Sequence, residues 1–224
     1  MNIETFLKYF SRVITLLLVI PLHEAAHGLV AKWLGDDTAE RQGRITLNPF
    51  AHLDPIGSLL MIFTGFGWAK PVPVNPVRMK KYRAGFALTA LAGPVSNLLA
   101  AFVAGLIYNI MWCFDSIRYA EEITPAVCVM FILQYIFSIN IGLAIFNLIP
   151  IPPLDGFNVL RCFTSDKVDR WFYMHQREVN IGFLIFLGVM TYVPYEYDIL
   201  SRATGAVSNL LWHLVSWIPA VVKG

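Results

Sequence analysis

VITLLLVIPLHEAAHGLVAKWL occupies residues 13–34. An amphipathic helix keeps its apolar residues on one stripe; here, apart from Thr15 and, near the end, Lys32, every face is apolar except for the island His23-Glu24-Ala25-Ala26-His27. Such a helix belongs inside a membrane, where two imidazoles and a carboxylate cost on the order of several kcal/mol unless something pairs with them. Residues four apart share a helix face, so His23 and His27 can bind one tetrahedral zinc, with Glu24 beside them as general base toward water. The alternative has the histidines bonding neighbouring carbonyls and Glu24 lining a polar cavity. That alternative does not account for the order of the three residues.

The rest of the chain has the same character. Of 224 residues, 57% are hydrophobic and 14% charged, against about 25% charged in average globular chains. So few charges leave large apolar patches on any water-facing surface, and a mean hydropathy of +0.59 excludes disorder. A net charge of +2 is too balanced for a nucleic-acid partner. The predicted class is an all-α polytopic membrane protein in a lipid bilayer, one domain over residues 1–224.

A crossing helix needs about 20 apolar residues. Five runs qualify, at 6–34, 85–113, 123–149, 179–193 and 200–219. The run at 56–68, IGSLLMIFTGFGW, is too short and glycine-rich to cross and is predicted to be a re-entrant apolar hairpin. It is flanked by RITL at 44–47 and KPVPVNP at 70–76, both predicted to be short β-strands near the site; the prolines keep the second extended. With the hairpin returning to the side it left, thirteen of the 17 Lys and Arg share one side. That side is predicted to be cytoplasmic and to hold the C-terminus, with the N-terminus outside. Lys8 and Arg12, at the start of the first run, precede an apolar stretch as in a leader, but that stretch continues past Ala25-Ala26, so no cleavable signal peptide is expected. Cys113, Cys128 and Cys162 are isolated, which excludes a disulfide scaffold.

Two histidines leave a catalytic zinc short of its usual three protein ligands. The third run ends in NLIPIPPLDG, 147–156, where a proline cluster breaks the helix before Asp155 and Gly156 allows a tight turn. Asp155 is the best third ligand; equally, it could cap the helical stretch 157–163.

HEAAH at 23–27, GRITLNPFAHLDPIG at 43–57, AKPVPVNP at 69–76, AGPVSN at 92–97 and NLIPIPPLDG at 147–156 occur in this order. Together they resemble the site-2 protease family of intramembrane zinc metalloproteases, in particular its compact branch without a PDZ domain. The resemblance implies one zinc ion held by His23, His27 and Asp155, with Glu24 activating water. It implies a catalytic core over 6–163, followed by C-terminal helices at 179–219, in a cell-membrane enzyme whose active-site side is cytoplasmic. Asn147 resembles an asparagine that positions substrate or steadies the oxyanion. Asn97 matches one that packs near the site, with plain helix packing as the alternative, and His52 either binds substrate or bonds a loop carbonyl. The implied substrate is a transmembrane protein or peptide, cut within or near its spanning segment. The rival class is a non-catalytic membrane protein that binds metal or substrates; a transporter of that kind shows repeated broken helices, and the sequence shows none.

Overall fold

The structure, a computed structural model, describes residues 3–64, 67–119, 122, 124–190 and 199–223. The first apolar run is one rod: α1 (Ile3–Ile14), a π-helical turn (Thr15–Val19) and α2 (Ile20–Trp33). Pro21, in the first turn of α2, has no N–H to return to the preceding turn, so the helix widens where a carbonyl loses its usual donor. Gly35, at φ 108°, ends the rod in a conformation that side chains resist. There follow α3 (Thr38–Arg41), α4 (Pro55–Thr64), α5 (Tyr82–Met111), α6 (Asp115–Arg118), α7 (Pro125–Asn147), α8 (Asp155–Leu160), α9 (Asp166–Met174), α10 (Gln176–Met190), α11 (Ile199–Val215) and α12 (Ile218–Lys223).

Among the described residues three helices are long and apolar enough to cross a membrane, Tyr9–Trp33, α5 and α7, and the expected five are not confirmed. The 15 residues of α10 rise about 22 Å and the 17 of α11 about 26 Å, at 1.5 Å each. The described part of each is shorter than a hydrocarbon core of about 30 Å, and each borders residues outside the described ones. Residues 191–193, the end of the fourth expected run, lie outside the described residues, as does Ile123 at the start of the third.

The segment 54–68 leaves and returns to one place. Leu53 and Ala69 form an antiparallel bridge, and Lys70 N–H donates to the His52 carbonyl at 2.8 Å. Between them α4 runs out for ten residues, about 15 Å. The returning chain lies so close that a Cβ on Gly57 would stand 2.2 Å from the Trp68 carbonyl oxygen. Asp54 Oδ1 accepts from Ile56 and Gly57 N–H at the start of α4. At its other end Arg12 Nη1 donates to the carbonyls of Ile62 (2.6 Å) and Phe63 (2.9 Å).

The expected strands are absent: among the described residues that one bridge is all the β-structure. The reason lies in where the backbone groups go. Thr46 O faces the His52 ring, and Lys70 O accepts from the buried Arg44 side chain. In 70–76 the prolines have no N–H, while Val72 N–H donates to Glu24 Oε2 at 3.0 Å and Asn75 N–H to Asp36 Oδ2 at 2.5 Å. The chain is extended there, but side chains take the bonds that a ladder would need.

The core lies between α5 and α7, where Ala101 and Ala104 pack on Phe137 and Ile141, with Trp212 of α11 against Phe137. Small residues on α5 let the two helices approach closely, as in membrane bundles.

Candidate active site

The central part of α5 passes behind the two histidines of α2. A Cβ on Gly93 would stand 2.4 Å from His23 Cε1 and 2.5 Å from Nε2 of both His23 and His27. Only glycine leaves room for the imidazoles at this point. Four residues earlier on α5, the Thr89 carbonyl oxygen lies 2.7 Å from His27 Nδ1. A carbonyl only accepts, so Nδ1 carries the proton and the neutral ring turns a lone pair outward at Nε2.

Asp155 reaches the same point from α8. A Cβ on Gly156 would lie 2.1 Å from the Leu148 carbonyl oxygen, so the glycine lets α8 start directly against the end of α7. The alternative of Asp155 as helix cap fails, because Leu154 is the cap residue and Asp155 the first residue of α8. Its Oδ2 stands 3.1 Å from His23 Nε2 and 3.3 Å from His27 Nε2, and the two Nε2 atoms are 3.0 Å apart.

These three donors form a triangle of 3.0–3.3 Å edges. In a tetrahedral site with bonds of about 2.0–2.1 Å, neighbouring donors stand about 3.3–3.4 Å apart. The triangle therefore fits a zinc-sized ion after a shift of a few tenths of an ångström, and His23, His27 and Asp155 can hold such an ion together. Asp155 Oδ2 is buried, and the polar atoms set against it are the two imidazole nitrogens that would share an ion with it.

Glu24 follows His23 and is bonded through Oε2 to Val72 N–H. Asn97, one turn beyond Gly93 on α5, is fully buried with neither amide atom hydrogen-bonded. Asn147, the last residue of α7, donates to the carbonyl of Leu143 on its own helix. His52 is fully buried, with Nε2 2.8 Å from the Thr46 carbonyl oxygen. None of these three bonds to the His23–His27–Asp155 cluster. Gly93, Thr89 and Val72 carry no chemistry in their side chains and were not singled out from sequence. The available signals were a Gly-Pro step inside a membrane helix and a valine N–H isolated between prolines.

A membrane-helical chain with two histidines and an aspartate converging beside a glutamate has the form of a metalloprotease. The sequence model of peptidase family M50, the site-2 protease family, matches residues 11–190, and the chain belongs to that family. A Bacillus subtilis (strain 168) protein named "Putative zinc metalloprotease YwhC" is 43% identical over 179 residues, covering 78% of this chain and 77% of that protein. "Putative zinc metalloprotease Rip2" of Mycolicibacterium smegmatis is 26% identical over 160 residues, covering 69% of this chain and 57% of that protein. No solved structure matches the chain.

Proposed function

We propose that the protein is an intramembrane zinc endopeptidase that hydrolyses a peptide bond within or near the spanning segment of a membrane-protein substrate. The observation that carries this reading is the 3.0–3.3 Å donor triangle set against Gly93. His23, His27 and Asp155 hold one zinc ion, which supplies Lewis acidity toward the scissile carbonyl and acidifies water. Glu24 takes the water proton through Oε1 and passes it to the leaving nitrogen, while Val72 N–H holds Oε2 still. Among the described residues no fourth histidine, cysteine or carboxylate, His52 included, joins the three donors. That leaves a coordination position for reactants, which favours catalysis over a purely structural or metal-binding role.

A helical substrate must unwind before it is cut, because its carbonyls are all bonded within the helix. Asn147, at the start of the loop leading to Asp155, meets the unwound chain in this reading, which its position at the end of α7 supports. Asn97 lies one turn deeper with an unused amide, and His52 shapes the loop beside the extended stretch 70–76 rather than touching substrate. The protein sits in the cell membrane with its N-terminus outside and the active-site side cytoplasmic. The test is to reconstitute the wild-type chain in lipid with a single-span substrate and map the cut by mass spectrometry. Cleavage within or at the edge of the spanning segment is expected; cleavage confined to soluble loops contradicts the reading.

A further inference from the structure

Asp155 sits on a helix of only six residues, too short to persist on its own. Its leading end is fixed by the contact of Gly156 with the end of α7. Its trailing end is held by Arg83, in the first turn of α5 and 78 residues away in sequence from Arg161, the C-cap of α8. Arg83 Nη1 lies 2.8 Å from the Arg161 carbonyl oxygen and also donates to the Thr164 carbonyl. Its Nη2 lies 2.5 Å from Asp166 Oδ1 and 3.5 Å from Asp169 Oδ2. Arg161 in turn donates to Asp169 at 3.0 Å and lays its guanidinium over the Phe86 ring of α5.

The carbonyls at a helix end lack intrahelical donors, and a guanidinium presents several N–H groups in one rigid fork. The Arg83 side chain is 29% exposed and its partner Asp166 83%. An ion pair so open to solvent contributes little, so the carbonyl bonds do the holding. Ten residues further along the same helix, Gly93 backs the imidazoles and Thr89 orients one of them. One helix thus touches both halves of the donor triangle.

We propose that Arg83 is a positioning residue for the metal centre: by clamping the trailing end of α8 to α5, it sets where Asp155 meets His23 and His27. This rests on the zinc reading of that site. The test is zinc affinity of the full chain in detergent, measured by competition with a chromophoric chelator, with no cleavage involved. Arg83→Lys keeps the charge and the stem but loses the fork, and is expected to bind zinc about tenfold more weakly with helical content unchanged. Asp166→Asn leaves the carbonyl bonds in place and should stay within about twofold of wild type. Arg83→Ala should bind more weakly still and recover affinity when guanidinium ion is added. Wild-type affinity in Arg83→Lys, or a lower melting temperature with zinc affinity unmoved, overturns the proposal. Failure of the zinc reading itself looks different: the wild-type chain then binds no zinc, and both fall together.

Discussion

Replacing Gly93 with alanine adds one carbon at the most constrained point of the molecule. That carbon lands 2.4–2.5 Å from ring atoms of both His23 and His27, where non-bonded heavy atoms settle at about 3.5 Å. The deficit is about 1 Å at two ligands at once. The backbone of α5 has little freedom to move, because about two to three turns further on it is packed on α7 through Ala101 and Ala104. The rings must therefore give, and a zinc site tolerates about 0.2 Å in its bond lengths. Loss of a group that merely orients one ligand weakens zinc binding about 10- to 100-fold. Displacing two ligands together should reach at least the upper end, about 100-fold, or about 2.8 kcal/mol. The assay is chelator competition on the purified chain, with melting temperature measured in the presence and absence of zinc. Gly142→Ala is the control: nothing lies within 4 Å of its added carbon, and alanine is the better helix former, so zinc affinity should hold and stability should not fall. Wild-type zinc affinity in Gly93→Ala would refute the view that α5 shapes the centre.

Val72→Pro removes the N–H bonded to Glu24 from a stretch already extended by Pro71 and Pro73. Loss of a hydrogen bond to a charged group is worth about 1.5–3 kcal/mol, so kcat should fall about 10- to 100-fold in a cleavage assay with zinc content unchanged. Arg12→Ala frees the Ile62 and Phe63 carbonyls; hydrogen exchange in 55–64 should accelerate while zinc binding stays as in wild type. Asp155→Ala removes one of three donors, and metal analysis after dialysis should show zinc lost.

Two imidazoles one turn apart are legible from HEAAH alone, because helix geometry places them on one face whatever the rest of the chain does. Asp155 was open between ligand and cap, since local sequence cannot say what a proline-broken loop folds back onto; the contact of Gly156 with α7 brings its carboxylate beside His23 and His27. The strands at 44–47 and 70–76 were misread because extended character was legible while the bonding partners were not. Arg44, His52, Glu24 and Asp36 supply from elsewhere the bonds that a neighbouring strand would have made. Of the five expected spans, three are long and apolar enough among the described residues, while α10 and α11 are apolar helices that border residues outside the described ones. Gly93 and Arg83 act across 70 or more residues of sequence, which no local pattern reports.

The most direct measurement is cleavage of a single-span substrate by the wild-type chain and by Glu24→Gln, with zinc quantified in both preparations. The account predicts one zinc per chain in each and cleavage by wild type alone. Cleavage by Glu24→Gln at the wild-type rate, or a wild-type chain that cleaves without zinc, contradicts it.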